Sequence, residues 1–249
     1  MKKTILATVS FIISAISFAQ TKTIDDYFTK LPFEMKKPIV PTFKTNTYNI
    51  ENFGGIADGK TLNTIAFANA ITECNKNGGG RVVISKGIWL TGPIELKSNV
   101  NICLEKGATI QFTKDHTQYP IIKSGSTSTS FSTASPIYAY DAENIAITGF
   151  GAIDGAGESW RPVKKNKVSD AYWKELNQSG ILSSDGKIWW PSREAMLGED
   201  YLKNIKKEKA NLIAEDYLPA RDFLRPYMLF FVNCKNILLE NVIAIFSAS

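Results

Sequence analysis

Asn144-Ile145-Ala146-Ile147-Thr148-Gly149-Phe150-Gly151-Ala152-Ile153-Asp154-Gly155-Ala156-Gly157 is the stretch that decides the fold. Ile145, Ile147 and Ile153 alternate with small or polar residues, the period of a strand with one buried face. The strands are short, because Gly149, Gly151, Gly155 and Gly157 interrupt them where the backbone bends or takes a positive φ. The phrase recurs. Asn99-Val100-Asn101-Ile102-Cys103-Leu104 runs into Glu105-Lys106-Gly107-Ala108-Thr109-Ile110, and Asn236-Ile237-Leu238-Leu239-Glu240-Asn241-Val242-Ile243 follows later. Self-similar units of roughly 20–50 residues predict stacked repeats, and strands alone within each unit select an all-β chain wound as a parallel β-helix. Each coil then buries its inward aliphatics on the next, and the leading asparagines can stack as a ladder of amides. The alternative, a β-sandwich, would set hairpin signals between paired strands about every 8–12 residues. Here the glycines sit inside the repeated phrase.

The ends and the composition set bounds. Met1-Lys2-Lys3, an apolar run from Ile5 to Phe18 and Ser17-Phe18-Ala19 before Gln20 predict a secretory signal peptide over residues 1–19, cleaved after Ala19, and hence an exported protein, periplasmic or extracellular. The run is shorter than the roughly 20 residues a membrane span needs, so no membrane partner is expected. Three cysteines, Cys74, Cys103 and Cys234, are an odd number for a disulfide framework, and Cys103 is expected to pack as a small hydrophobe. His116 is the single histidine, and no Cys or His metal-ligand spacing exists, so zinc chemistry is not expected. A formal net charge of +5, reduced by loss of Lys2 and Lys3, is compatible with an anionic ligand without demanding one.

Residues 20–47, with Pro32, Pro38 and Pro41, read as an extended lead-in. The β-helix domain is expected over 48–249. Tyr48–Phe53 is its first strand. Leu62, Ile65, Ala66, Phe67, Ala70, Ile71 and Cys74 recur at helical spacing, with Thr61 as N-cap and Gly78-Gly79-Gly80 as stop, and this helix is expected to cap the open end of the stack. Arg81–Ser85, Ile88–Leu90 and Ile94–Leu96 follow as strands. Gly125–Ser135, rich in Ser and Thr, reads as a surface loop. Residues 155–225 break the repeat as an insertion, with helical stretches over Ser169–Leu176 and Ser192–Glu215 around Ile188-Trp189-Trp190-Pro191.

Several motifs invite chemistry. Gly54-Gly55-Ile56-Ala57-Asp58-Gly59-Lys60-Thr61 matches a phosphate-binding loop, but Asp58 would set a carboxylate beside the phosphates, and a turn into the helix is the better reading. Asp25-Asp26 reads as solvated charge, and Asp154 as an Asx turn before Gly155. Inverting glycoside hydrolysis needs two carboxylates about 6.5–9.5 Å apart, and the repeats offer no such pair. Lys203, Lys206, Lys207 and Lys209 read as a solvated helix face, or as a loose guide for a polyanion. Trp160, Trp173, Trp189 and Trp190 read first as a small core pinning the insertion, and second as sugar-stacking rings. His116 reads as a surface loop residue without a partner nearby in sequence.

Tyr48-Asn49-Ile50, Phe53–Gly59, Ala66-Phe67, Ala70-Ile71, Gly78–Gly80, Gly87–Ile94 and Leu96–Val100 together resemble the N-terminal half of glycoside hydrolase family 28, the polygalacturonase family. Ile153–Gly157 before Trp160, and Arg225-Pro226-Tyr227 before Asn233–Asn236, are similar to its bacterial members. The resemblance covers most of residues 48–246. It implies a right-handed β-helix and inverting hydrolysis of galacturonan or a related pectin, without a cofactor and without a nucleic-acid partner. The catalytic motifs of that family, an Asn-x-Asp, an Asp-Asp pair, a His-Gly and an Arg-x-Lys, lie on later coils and do not occur in the coils of this sequence. The sequence therefore assigns no catalytic residue, no substrate-binding residue and no metal ligand. The expectation is an incomplete β-helix, an N-terminal part of a pectin hydrolase, inactive by itself and prone to self-association through an apolar edge around Leu238, Val242 and Ile245. A non-catalytic carbohydrate-binding β-helix is the second reading. A pectate-lyase-type enzyme ranks last, because no clustered acidic Ca²⁺ ligands occur.

Overall fold

A computed structural model of the protein describes residues 24–29, 31–125 and 127–245. The signal-peptide reading and Phe246–Ser249 lie outside the described residues. The chain divides into two compact units, one ending at Pro38 and one beginning at Ile39. In the first, Ile24–Phe28 forms a short helix, α1, so the lead-in is not uniformly extended. Asp25 and Asp26 occupy its first turn, where the partial positive charge of the exposed N–H groups favours carboxylates, and Asp25 pairs with Lys37.

The second unit is a coil stack. Its elements are β1 (Thr47–Asn49), α2 (Thr64–Lys76), β2 (Gly80–Ile84), β3 (Gly87–Thr91), β4 (Ile94–Glu95), β5 (Val100–Leu104), β6 (Ala108–Phe112), β7 (Ile121–Lys123), β8 (Phe131–Thr133), β9 (Ile137–Tyr140), β10 (Glu143–Gly149), β11 (Ala152–Asp154), β12 (Val163–Lys164), α3 (Asp170–Leu176), β13 (Ile181–Leu182), β14 (Ile188–Trp190), α4 (Arg193–Glu208), β15 (Leu229–Val232), β16 (Lys235–Glu240) and β17 (Ile243–Ile245). Three sheets run up the stack in the orders β1-β2-β5-β10-β16, β3-β6-β11-β17 and β4-β9-β15, and every pairing in them is parallel. Each coil gives one strand to each sheet in turn, which makes the fold a right-handed parallel β-helix.

Register explains the core. Val82 faces Ile102 and Ile102 faces Ile147, so one aliphatic row climbs through three coils, all fully buried. Trp89, Ile110 and Ile153 form the equivalent row in the second sheet. Each such side chain contributes about 1.5–3 kcal/mol by leaving water. Helix α2 adds Phe67, Ile71 and Cys74 to the same core beside the first coil. Burial pushes the Cys74 thiol up to about 11.

The leading asparagines do form a ladder. Asn99, Asn144 and Asn236 all take left-handed φ values of 63°, 54° and 53°. The Asn144 amide donates to Asn99 Oδ1 at 3.0 Å, and Asn236 donates to Asn144 Oδ1 at 2.8 Å. Asn tolerates this backbone region better than other side chains with a Cβ. Replacing Asn144 by alanine loses both rungs and strains the turn. Chemical denaturation is expected to show a loss of about 2 kcal/mol, with Asn144→Gly about 1 kcal/mol milder because only the rungs are lost. Equal losses would show that backbone strain plays no part.

Several local expectations change. Tyr48–Phe53 is not one strand: it passes after Asn49 into a 3₁₀ turn over Ile50–Phe53 that sinks Ile50 into the core. The helix begins at Thr64, with Asn63 rather than Thr61 at its N-cap position, and Leu62 and Ile65 are exposed. The Asn63 amide is spent on long-range bonds to Ile56 and Leu90, while Thr61 bonds Asp58. The Gly125–Ser135 loop contains β8, which pairs antiparallel with β7, and Thr133, Ala134 and Ser135 are buried. Helix α4 stops at Glu208, well short of Glu215; a separate 3₁₀ segment spans Ala214–Ala220. Cys103 is half-buried, pointing away from the row of Ile102 and Leu104.

Candidate functional site

The coil geometry gathers the irregular chain at one corner. Between the second and third sheets, the first described coil needs only Gly92 and Pro93 to pass from β3 to β4. The next coil leaves at the same corner after Phe112 and returns at Ile137. The one above leaves after Asp154 and returns at Leu229. Two long excursions from successive coils are thereby stacked, although they are remote in sequence.

The third sheet, which these excursions flank, carries an aromatic outer face. Ile137 and Ala139 point inward and are fully buried, so Tyr138 and Tyr140 point out. Phe230 pairs in register with Tyr138, and Glu95 pairs with Tyr138 from the other side. The rings of Tyr138 and Tyr140 lie 5.9 Å apart, those of Tyr140 and Phe230 6.3 Å apart, and Tyr227 stacks on Phe230 at 6.2 Å with planes 10° apart. Tyr227 is 61 % exposed. Tyr140 Oη donates to Lys123 O at 2.5 Å, which ties the row to β7. Burial, and then the Glu95 charge, pushes the Tyr138 phenol up to about 12 and raises Tyr140 as well, so both stay neutral donors. A small cavity of about 200 Å³ beside the row is lined by Tyr140, Arg225, Tyr227 and Phe230. Rings with polar edges beside a guanidinium are suited to a sugar ring bearing an anionic group.

The two excursions meet around His116, which is not a surface residue. Its side chain is 11 % exposed, its ring stacks on Trp160 at 3.6 Å, and its Nδ1 lies 3.1 Å from Asp222 Oδ1. Nε2 lies 3.1 Å from Ser159 Oγ, which also reaches Ala156 O at 2.8 Å. Arg221 Nη1 donates to the His116 carbonyl at 3.1 Å, and Ser192 donates to Asp222 Oδ2 at 2.6 Å. Burial opposes the charge of Asp222, but bonds from His116 and Ser192 and the nearby His116 and Arg221 charges outweigh it, holding the carboxyl below its ordinary range. Trp160 is fully buried against Tyr119, whose phenol burial pushes up. His116, Ser159, Trp189, Ser192, Arg221 and Asp222 line a basin of about 600 Å³.

The partners of His116 were beyond sequence reading because Ser159 stands 43 residues away and Arg221 stands 105 away. Among the tryptophans, Trp160, Trp173 and Trp189 are buried, and Trp189 Nε1 donates to Ser179 O at 2.7 Å, so they serve the packing of the insertion. Asp154 accepts from Ala156 N at 2.9 Å, the expected Asx turn. The phosphate-loop match is occupied from within: Asp58 Oδ1 accepts the Lys60 and Thr61 N–H groups at 2.8 and 2.7 Å, the donors a phosphate would need. Those bonds hold the Asp58 carboxyl below its usual value. Lys203 pairs with Glu199 across one helical turn, and Lys209 pairs with Asp216. Among the described residues no cluster of three His, Cys, Asp or Glu side chains is placed to hold a metal ion, and no helix is long and apolar enough to cross a membrane.

No family model matches the chain. In sequence it is similar to a probable polygalacturonase of Vitis vinifera, 29% identical over 196 residues, and to an exo-poly-α-D-galacturonosidase of Dickeya chrysanthemi, 36% identical over 179 residues. These alignments take in 74% and 69% of this chain but 40% and 26% of the relatives, so the chain spans less than half of their length. In structure it is similar to a hyperthermoactive exopolygalacturonase of Thermotoga maritima, at 30% identity and a TM-score of 0.61, covering 85% of this chain and 44% of that one. A family 28 exopolygalacturonase of Yersinia enterocolitica shares the fold, with a TM-score of 0.53 at 24% identity over 82% of this chain and 36% of that one.

Proposed function

The chain is a relative of the polygalacturonases, glycoside hydrolase family 28, and from that premise we propose that it belongs to an exported machinery that engages and hydrolyses pectic galacturonan. The observation that carries the reading is the outward aromatic row of Tyr138, Tyr140, Phe230 and Tyr227 with Arg225 beside it. Flat rings stack on the apolar faces of pyranoses, and a guanidinium pairs with a uronate carboxylate in two parallel hydrogen bonds. The names of the relatives supply the sugar: a poly-α-D-galacturonoside is a polyanion, and a mildly cationic chain does not repel it. The charged-apolar-small pattern of Met1–Gln20 supports export.

The coils hold no residue to which the sequence assigns acid or base work on a glycosidic bond. The 249-residue chain is therefore expected to bind oligogalacturonate without releasing reducing ends. Calorimetric titration is expected to show binding that weakens about tenfold, on the order of 1.4 kcal/mol, in Tyr140→Ala and in Phe230→Ala. Arg225→Ala should lose much of the salt dependence. Binding to neutral dextran as tight as to oligogalacturonate would contradict the uronate reading. Reducing-sugar release well above buffer would contradict binding alone.

A further inference from the structure

We propose that Ser159, His116 and Asp222 form a second, hydrolytic site, distinct from the aromatic row, that cleaves carboxylic esters of small acyl groups. The three side chains stand in nucleophile–base–orienter order. Ser159 Oγ lies 3.1 Å from His116 Nε2, and His116 Nδ1 lies 3.1 Å from Asp222 Oδ1. These distances fall within the reach that an activated nucleophile and its base require. Asp222, fixed by Ser192, takes a hydrogen bond from Nδ1 and so turns Nε2 toward Ser159, where the unprotonated ring can accept. The stack on Trp160 fixes the plane of the ring. The Ser159 hydroxyl has one proton and two groups within reach, Ala156 O at 2.8 Å and His116 Nε2 at 3.1 Å. Turning it to Nε2 is the single rotation that converts a turn-capping hydroxyl into a nucleophile.

The surroundings admit a substrate. Ser159 lines the 600 Å³ basin with His116 and also lines a neighbouring cavity of about 650 Å³ beside Trp189. Arg221 lines the basin too, and its Nη1 holds the His116 carbonyl at 3.1 Å, which places its positive charge on the basin wall beside the base. The basin has ample room for the acyl group of a small ester beside Trp189.

The reaction balances without a co-reactant other than water. Ser159 Oγ bonds to the ester carbonyl carbon as its proton passes to Nε2. The carbon–alkoxy bond then breaks, and the leaving alcohol takes that proton. Water, deprotonated by Nε2, attacks the acyl carbon, frees the carboxylic acid, and Ser159 regains its proton. The ester gives one acid and one alcohol.

The test uses the full chain, a fluorophosphonate probe with mass-spectrometric mapping, and p-nitrophenyl acetate hydrolysis. Covalent label at Ser159 is expected, absent in Ser159→Ala. Ester hydrolysis is expected to fall at least a hundredfold in Ser159→Ala and at least tenfold in Asp222→Asn. Urea melts of both variants establish that they fold, and neither assay involves galacturonan, so the outcome is independent of polysaccharide binding. Failure of the probe to mark Ser159 would overturn the proposal. So would hydrolysis persisting undiminished in Ser159→Ala, since the lone imidazole would then account for it.

Discussion

Gly149→Ala is expected to cost about 4 kcal/mol or more in urea denaturation, most of the margin of a protein at the lower end of typical stabilities of about 5–15 kcal/mol. Gly149 ends β10, at the bend between the first and second sheets, with φ +117°. A Cβ there would lie 2.0 Å from the Leu104 carbonyl oxygen and 2.9 Å from Leu104 N. That oxygen accepts the Phe150 N–H at 2.9 Å, so it belongs to the bond that binds one coil to the next. Neither atom is the tip of a flexible side chain. Relief requires two coils to part, and every inward row above them loses its register. Gly54→Ala is the comparison: its φ is +85°, but a new Cβ would meet nothing within 4 Å. It should cost only the strain of a positive φ, about 1–2 kcal/mol. If the two variants melt within 1 kcal/mol of each other, close approach between coils is not what reserves position 149 for glycine.

Trp160→Ala should cost about 3–5 kcal/mol, the range for removing a large aromatic from a packed interior. Trp160 is fully buried between His116, stacked at 3.6 Å, and Tyr119, edge-on at 5.0 Å. Tyr119 is fixed by a 3.0 Å bond to Thr113 O, so it cannot swing into the space left behind. The lost contacts join an excursion of one coil to an excursion of the next. Limited proteolysis is therefore expected to cut first within 155–225, before the coils yield. Trp160→Phe should be far milder, about 1–2 kcal/mol, because the stack survives in part and because Trp160 Nε1 is itself a buried donor with no partner. An alanine variant as stable as wild type would mean that the insertion is held elsewhere, for instance by the Leu202–Tyr217–Ala220 cluster.

What could be read beforehand and what could not divide along a physical line. Ile145, Ile147 and the leading asparagines are repeated, and repetition at fixed spacing encodes a stack directly. The helix over Ala66–Cys74 was legible because its apolar period is long. Its first residue was not, since Asn63 is tied to Ile56 and Leu90, bonds that local spacing does not reveal. His116 failed for a larger version of the same reason. A lone histidine in a polar loop carries no periodic signal, and its partners depend on which corner each excursion leaves. The aromatic row was half visible: Tyr138 and Tyr140 alternate with Ile137 and Ala139, but the approach of Phe230 needed the parallel register of β9 and β15.

The corner between β3 and β4, filled in one coil by Gly92 and Pro93 and in another by everything from Gly155 to Met228, shows where this architecture can grow. Closing a longer loop across fixed ends costs only about 0.6 kcal/mol for each doubling of its length, provided those ends stay anchored. The anchors here are held by aliphatic rows and amide rungs that lie on the strands themselves, and of the loop only its last residue, Met228, joins that core. New side chains can thus accumulate at that spot almost without penalty to the scaffold, and a tract grafted between Thr91 and Ile94 should be tolerated where the same graft at Gly149–Gly151 would not.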